Sequence, residues 1–188
     1  MSKDAKNLLG VPDADKSKSS KRKMTQAIFQ SVLVVFGILF QILITSFIQP
    51  MGFKLNWVLM ILIILAFLHG NRLIPFLAIF AGIWCDLMSH GMIGVYGISF
   101  LFVILVTQWI STWFYSHTLM LGMIVFFTLS LFEGFISLTL LKWSEEEFRW
   151  GWNLLYTAFP QALIHGIVGP LLLKGVLFLE NFGLRTKA

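Results

Sequence analysis

Polar and apolar positions along this chain fall into long blocks, with no residue-by-residue alternation. After a polar head, an apolar run extends from Gln26 to Ile48, and five more follow: Leu55–Leu68, Ile74–Met88, Val95–Tyr115, Leu119–Leu141 and Leu154–Leu179. A helix of about 20 mostly apolar residues, each rising about 1.5 Å, crosses the hydrocarbon core of a bilayer. Four of the runs meet that length. The second and third hold 14 and 15 residues, a length that also suits re-entrant segments. They are read as spans because a strongly apolar short helix extends through its flanks or thins the bilayer locally. The pattern predicts an all-α integral membrane protein with six transmembrane helices.

The breaks between runs carry turn residues. Gln49–Lys54 contains Pro50 and Gly52, His69-Gly70-Asn71-Arg72 separates the two short runs, and Ser89–Gly94 contains two glycines. Pro75 falls in the first turn of its run, where proline is tolerated. Only Ser116-His117-Thr118 parts the fourth and fifth runs. The stretch Lys142–Asn153 admits two readings. Ser144 and Glu147 have capping-box spacing, Glu145 and Glu146 suit a first turn, and Trp143, Phe148, Trp150 and Trp152 supply an apolar side. That describes a helix lying in the interface; the alternative is a loop anchored by its aromatic rings.

Composition removes a soluble reading. Hydrophobic types are 57% of 188 residues and charged types 12%, where soluble domains run near 25% charged; mean hydropathy is +0.83. Residues 1–24, rich in Lys, Ser and Asp, are expected to be a disordered cytoplasmic tail, residues 25–180 the membrane domain, and 181–188 a second cytoplasmic tail. The first run is longer than a signal-peptide core, and no small-residue cleavage site follows it. Cys85, the one cysteine, supports neither a disulfide framework nor a cysteine zinc site.

Charge supplies orientation. With the amino end inside, Lys3, Lys6, Lys16, Lys18, Lys21, Arg22, Lys23, Arg72, Lys174, Arg185 and Lys187 collect on the inner side, against Lys54, Lys142 and Arg149 outside. Basic loops stay in the cytoplasm, so both ends are expected there. Lys21, Arg22 and Lys23 abut the first run, which favours the anionic inner leaflet over nucleic acid as their partner. Trp57, Trp109, Trp113, Trp143, Trp150 and Trp152 fall at predicted span ends and suit an aromatic belt; Trp84 lies within a run.

Ionisable groups inside spans are costly, so each is a functional candidate. There are three: Asp86, Glu133 and His165. Helical rise places Glu133 about 4–5 Å and His165 about 2 Å to the outer side of their run midpoints. Antiparallel neighbours at those depths either meet in one polar pocket or bond separately to carbonyls and hydroxyls. Asp86 shares a helix face with Ala78, Ala81, Gly82 and Cys85, small residues that let backbones approach. It is expected to point into the bundle and accept bonds from amides of Ser89–Gly94. Asp86 and His90 have metal-ligand spacing, but helix-end capping explains Asp86 better than a two-ligand site. His69 and His117 read as solvated loop residues. Gly91, Gly94 and Gly97 lack the preceding strand and following Lys-Ser/Thr of a phosphate loop, and read as packing glycines. No catalytic motif is present, and no cofactor or metal is implied.

The stretch Ala81-Gly82-Ile83-Trp84-Cys85-Asp86-Leu87-Met88-Ser89-His90-Gly91-Met92-Ile93-Gly94 resembles the signature of the bacterial MreD family. That pattern is Gly, three apolar residues, Asp, Leu, a Ser-Gly turn, then Leu-Gly. Leu55-Asn56-Trp57 is similar to the family's Pro-Asn-Trp opening of the second span, with Leu55 in place of proline. His165-Gly166-Ile167-Val168-Gly169-Pro170 resembles its proline-terminated last span, with His165 where asparagine is common. The resemblance covers about residues 26–180. It implies a non-enzymatic subunit of the cell-elongation machinery that binds the bitopic scaffold MreC. Through MreC it would act on the RodA glycosyltransferase and its penicillin-binding transpeptidase partner. The family is also similar in fold to the substrate-binding subunits of energy-coupling-factor vitamin transporters, six helices around an outward pocket. A vitamin or small-solute transporter subunit is therefore the rival reading.

Overall fold

A computed structural model describes residues 14–48, 55–89, 92–113, 119–143 and 150–185, and every regular element among them is helical. The chain runs through α1 (Ala14–Ile48), α2 (Trp57–His69), α3 (Leu73–Ser89), α4 (Val95–Trp113) and α5 (Leu119–Lys142). A last rod joins α6 (Trp150–Asn153), a π-helical turn (Leu154–Ala158) and α7 (Phe159–Arg185) without a break. Four stretches are long and apolar enough to cross a membrane: Lys23–Leu43, Val95–Thr112, Met120–Lys142 and Gly151–Phe178. α2 and α3 are apolar but shorter. The chain is a multi-pass membrane protein.

Three boundaries differ from the sequence reading. Helix α1 begins at Ala14, so residues 14–24 are its first turns and not a disordered tail. No Pro or Gly lies between Ala14 and Gly37, and a helix nucleated in the apolar run propagates at little cost through Lys, Arg and Ala. At the other end, α7 continues to Arg185, through most of the expected second tail. Trp150–Asn153 belongs to the last rod, and the capping-box residues 144–147 lie outside the described residues. So do the Gln49–Lys54 loop, His90, Gly91 and His117. The π turn has a local cause. Pro160 has no N–H to offer four residues back and its ring crowds that carbonyl; the preceding turn widens, with Phe159 N–H bonding Leu154 O.

Helix α2 is the centre of the bundle. Val58–Met60 and Leu62–Ala66 are at most 1% exposed, and α2 packs on α1, α3, α4 and α7. A helix apolar on all sides belongs in the middle. Between apolar helices in lipid there is little hydrophobic driving force, so close packing and polar bonds hold the bundle. The tightest pairs are α3 with α4 and α5 with α7. At the first, a Cβ on Gly82 would lie 2.6 Å from Gly97 N and 2.7 Å from the Tyr96 carbonyl carbon; backbone touches backbone there. At the second, a Cβ on Gly166 would lie 3.3 Å from Met123 O.

Candidate functional site: polar groups at the buried helix ends

By its rise, α2's 13 residues measure about 20 Å, against roughly 30 Å of hydrocarbon. Such a helix cannot carry both of its ends to the bilayer surfaces, and an end left in hydrocarbon makes unpaired backbone groups costly. Neighbouring helices supply the partners. At the amino end, Gln41 of α1 donates from Nε2 to Leu55 O at 2.7 Å and accepts Trp57 N–H on Oε1 at 2.7 Å. From α7, His165 Nε2 accepts Asn56 N–H at 3.3 Å. Asn56 itself caps α2, its Oδ1 accepting Leu59 N–H at 3.2 Å. At the carboxyl end, Gly70 takes a left-handed conformation (φ 48°) and its N–H bonds Ala66 O. Asn71 donates to Gln30 Oε1 of α1 at 3.0 Å, while Gln108 Nε2 of α4 donates to Asn71 O at 3.0 Å.

Asp86 performs the same service for α4. It is 1% exposed and lies on the buried face of α3 with Ile74, Ala78, Ala81 and Gly82. Its Oδ2 accepts Gly94 N–H at 2.8 Å and Gly97 N–H at 3.3 Å, and its Oδ1 accepts Tyr96 N–H at 2.9 Å. Among the described residues of the expected Ser89–Gly94 stretch, Gly94 is the donor; Tyr96 and Gly97 lie further on, in α4. A helix start leaves its first amides without internal acceptors and carries a partial positive charge, so a carboxylate reaching across the turn meets both needs. Gly94 has φ 107°, which an L side chain rarely adopts, and this lets the chain fold back on Asp86.

Glu133 and His165, 2% and 0% exposed, occupy the α5–α7 interface one turn apart. Glu133 Oε1 bonds the Ser137 hydroxyl at 3.0 Å, and Gln161 Nε2 of α7 donates to its Oε2 at 3.3 Å. His165 Nδ1 bonds the Ser130 hydroxyl of α5. The two share a seam without bonding to each other: Ser130 faces His165, and Glu133 faces Gln161. Since Nε2 accepts a backbone N–H, it carries no proton; Nδ1–H is then the donor to Ser130, and the ring is neutral.

The remaining expected residues divide. Gly166, Gly169 and Pro170 are buried against α5. A Cβ on Gly166 would stand 3.2 Å from Phe127 Cβ, and Pro170 packs opposite Gly122. Trp143 is 92% exposed, and Trp152, also exposed, meets Tyr156 in a tilted ring contact at 4.4 Å; the side chain of Trp150 lies outside the described residues. Trp57 departs from the anchor expectation. It packs edge-on against Phe40 at 5.4 Å with its Nε1 buried, because the first residue of a central helix faces protein. His69 ends α2 half-buried, not in a solvated loop. Lys21 and Lys23 are exposed on α1. Among the described residues no three His, Cys, Asp or Glu converge on a metal position.

Sequence reasoning missed the uncharged amides: Gln30, Gln41, Asn56, Asn71, Gln108 and Gln161. The signal was present, since an amide within an apolar run also needs partners. Chemically, Gln41, Asn56, Asn71 and Gln108 hold the ends of α2 and the turn after it, and Gln161 holds Glu133.

No curated protein and no solved structure matches the chain. A family model matches residues 21–180, a stretch that contains Asp86 with its turn, Asn56 and His165, and by that match the chain belongs to the family of the rod shape-determining protein MreD.

Proposed function

We propose that this chain, whose family implies a role in determining rod shape, is a non-enzymatic membrane subunit of the cell-elongation machinery. It binds an MreC-type bitopic scaffold and, through it, modulates peptidoglycan synthesis by a RodA-type glycosyltransferase and its penicillin-binding transpeptidase partner. In this reading six helices cross the cytoplasmic membrane with both termini inside. Lys21, Arg22 and Lys23 meet the anionic inner leaflet. The carrying observation is the family match over residues 21–180. The polar groups add support: Asp86 and His165 are committed to helix ends, which suits a packing scaffold better than a pocket for a vitamin.

The test is affinity purification of the tagged chain from its native membrane. The proposal expects a single-span protein with a periplasmic coiled coil to co-purify, and depletion of the chain to round rod-shaped cells. Recovery of ATP-binding transport subunits, with stabilisation by a vitamin and unchanged shape on depletion, would sink it.

A further inference from the structure

We propose that Glu133 is a proton-binding site: its carboxyl group is a neutral acid donating to Ser137, the last link of a hydroxyl chain between α5 and α4. The protons along this chain can be counted. Three contacts run in series. Ser99 Oγ lies 2.7 Å from Val95 O, Ser137 Oγ lies 3.0 Å from Ser99 Oγ, and Glu133 Oε1 lies 3.0 Å from Ser137 Oγ. Each needs one proton, and each serine hydroxyl has one. Val95 O is an acceptor only, so Ser99 gives it its proton. Ser137 then donates to Ser99 Oγ, and the contact with Glu133 has a proton only if the carboxyl supplies it. With an ionised Glu133, one oxygen pair at 3.0 Å would face lone pair to lone pair in a site shut off from water. The three side chains of the series, Ser99, Ser137 and Glu133, are buried.

The second oxygen has its own donor. Gln161 Nε2 donates to Oε2 at 3.3 Å, as suits the carbonyl oxygen of an acid. The surroundings favour the neutral form on separate grounds. The titratable groups in this part of the bundle are Asp86 and Cys85 of α3, Tyr96 of α4 and His165 of α7. Asp86 accepts three backbone N–H groups, the pattern of a carboxylate, and a second negative charge in that cluster is disfavoured. His165 is neutral by its hydrogen bonds. The resident proton thereby links α4 and α5 directly, and through Gln161 it links both to α7.

Infrared spectroscopy of the full-length protein in lipid nanodiscs at neutral pH tests this. The wild type should show the C=O stretch of a protonated carboxyl that moves on carbon-13 labelling of glutamate. The band should vanish in Glu133→Gln and shift in frequency in Ser137→Ala, which removes the acceptor. Glu133→Gln keeps one donor and one acceptor in the same places, so its melting temperature should match the wild type. A wild-type spectrum without a label-sensitive protonated-carboxyl band overturns the proposal, whether or not the variants fold. So does a band that survives unchanged in Glu133→Gln.

Discussion

His165 Nε2 takes the Asn56 N–H and its Nδ1–H goes to Ser130, so the position asks for one acceptor and one donor. An asparagine side chain offers both. That explains why histidine can stand where the resemblance expects asparagine, and it makes a prediction. His165→Asn should keep thermal stability in detergent within about 1 kcal/mol of the wild type. His165→Leu, which strands a buried N–H, should cost about 1–3 kcal/mol; equal losses in the two variants would refute the assignment. Asp86 sits at higher stakes because three amides depend on it. Asp86→Ala should lower stability by about 2–4 kcal/mol, combining a lost cap with unpaired amides in lipid. Asp86→Asn should recover part of that, since its one carbonyl still accepts. Unfolding followed by circular dichroism in mixed micelles reads both.

Among the elements, the α3–α4 pair depends on the missing side chain of Gly82, where the nearest atoms are backbone and have no rotamer to turn. Gly82→Ala should therefore destabilise by about 1–3 kcal/mol, the range of an overpacked core. Gly175→Ala, whose Cβ would meet nothing within 4 Å, should be neutral or gain up to about 1 kcal/mol of helix propensity. Thermal melts of the two variants decide it, and a harmless Gly82→Ala would mean that the helices are not in backbone contact. This pair also shows what was legible. Gly82 and Asp86 could be read from sequence because four-residue spacing fixes a shared face, and a charge in an apolar run stands out. Five of the six helices were placed within two residues at one end or both, since long apolar runs have few alternatives. Gln41 and Gln108 were not legible as partners. Their acceptors and donors are backbone groups just before α2, at its start and in the turn after it, brought near only by packing. The separate bonding of Glu133 and His165 was likewise beyond depth arithmetic, which gives height along a helix but not rotation about it.

At the scale of the whole molecule, the open choice is whether α2 and α3 cross the bilayer or enter and leave on one side. Both arrangements keep the chain ends together, so end-labelling alone does not separate them. The α2–α3 turn does. Asn71 bonds Gln30, and Gln30 lies seven residues from Lys23, about 10 Å along α1, at the end where the basic residues begin. Gln108, which also holds Asn71, is near the carboxyl end of α4. The turn thus lies in the basic-side half of the bundle, and the exposed Arg72 beside it can extend its long side chain toward the headgroups. In a Cys85→Ser background, single cysteines at Ser20, Arg72 and Trp143 should report the six-span arrangement. An impermeant maleimide on intact spheroplasts should label Trp143→Cys alone, and permeabilisation should add Ser20→Cys and Arg72→Cys. Labelling of Arg72→Cys from outside would make α2 and α3 a hairpin, and labelling of Ser20→Cys from outside would invert the molecule.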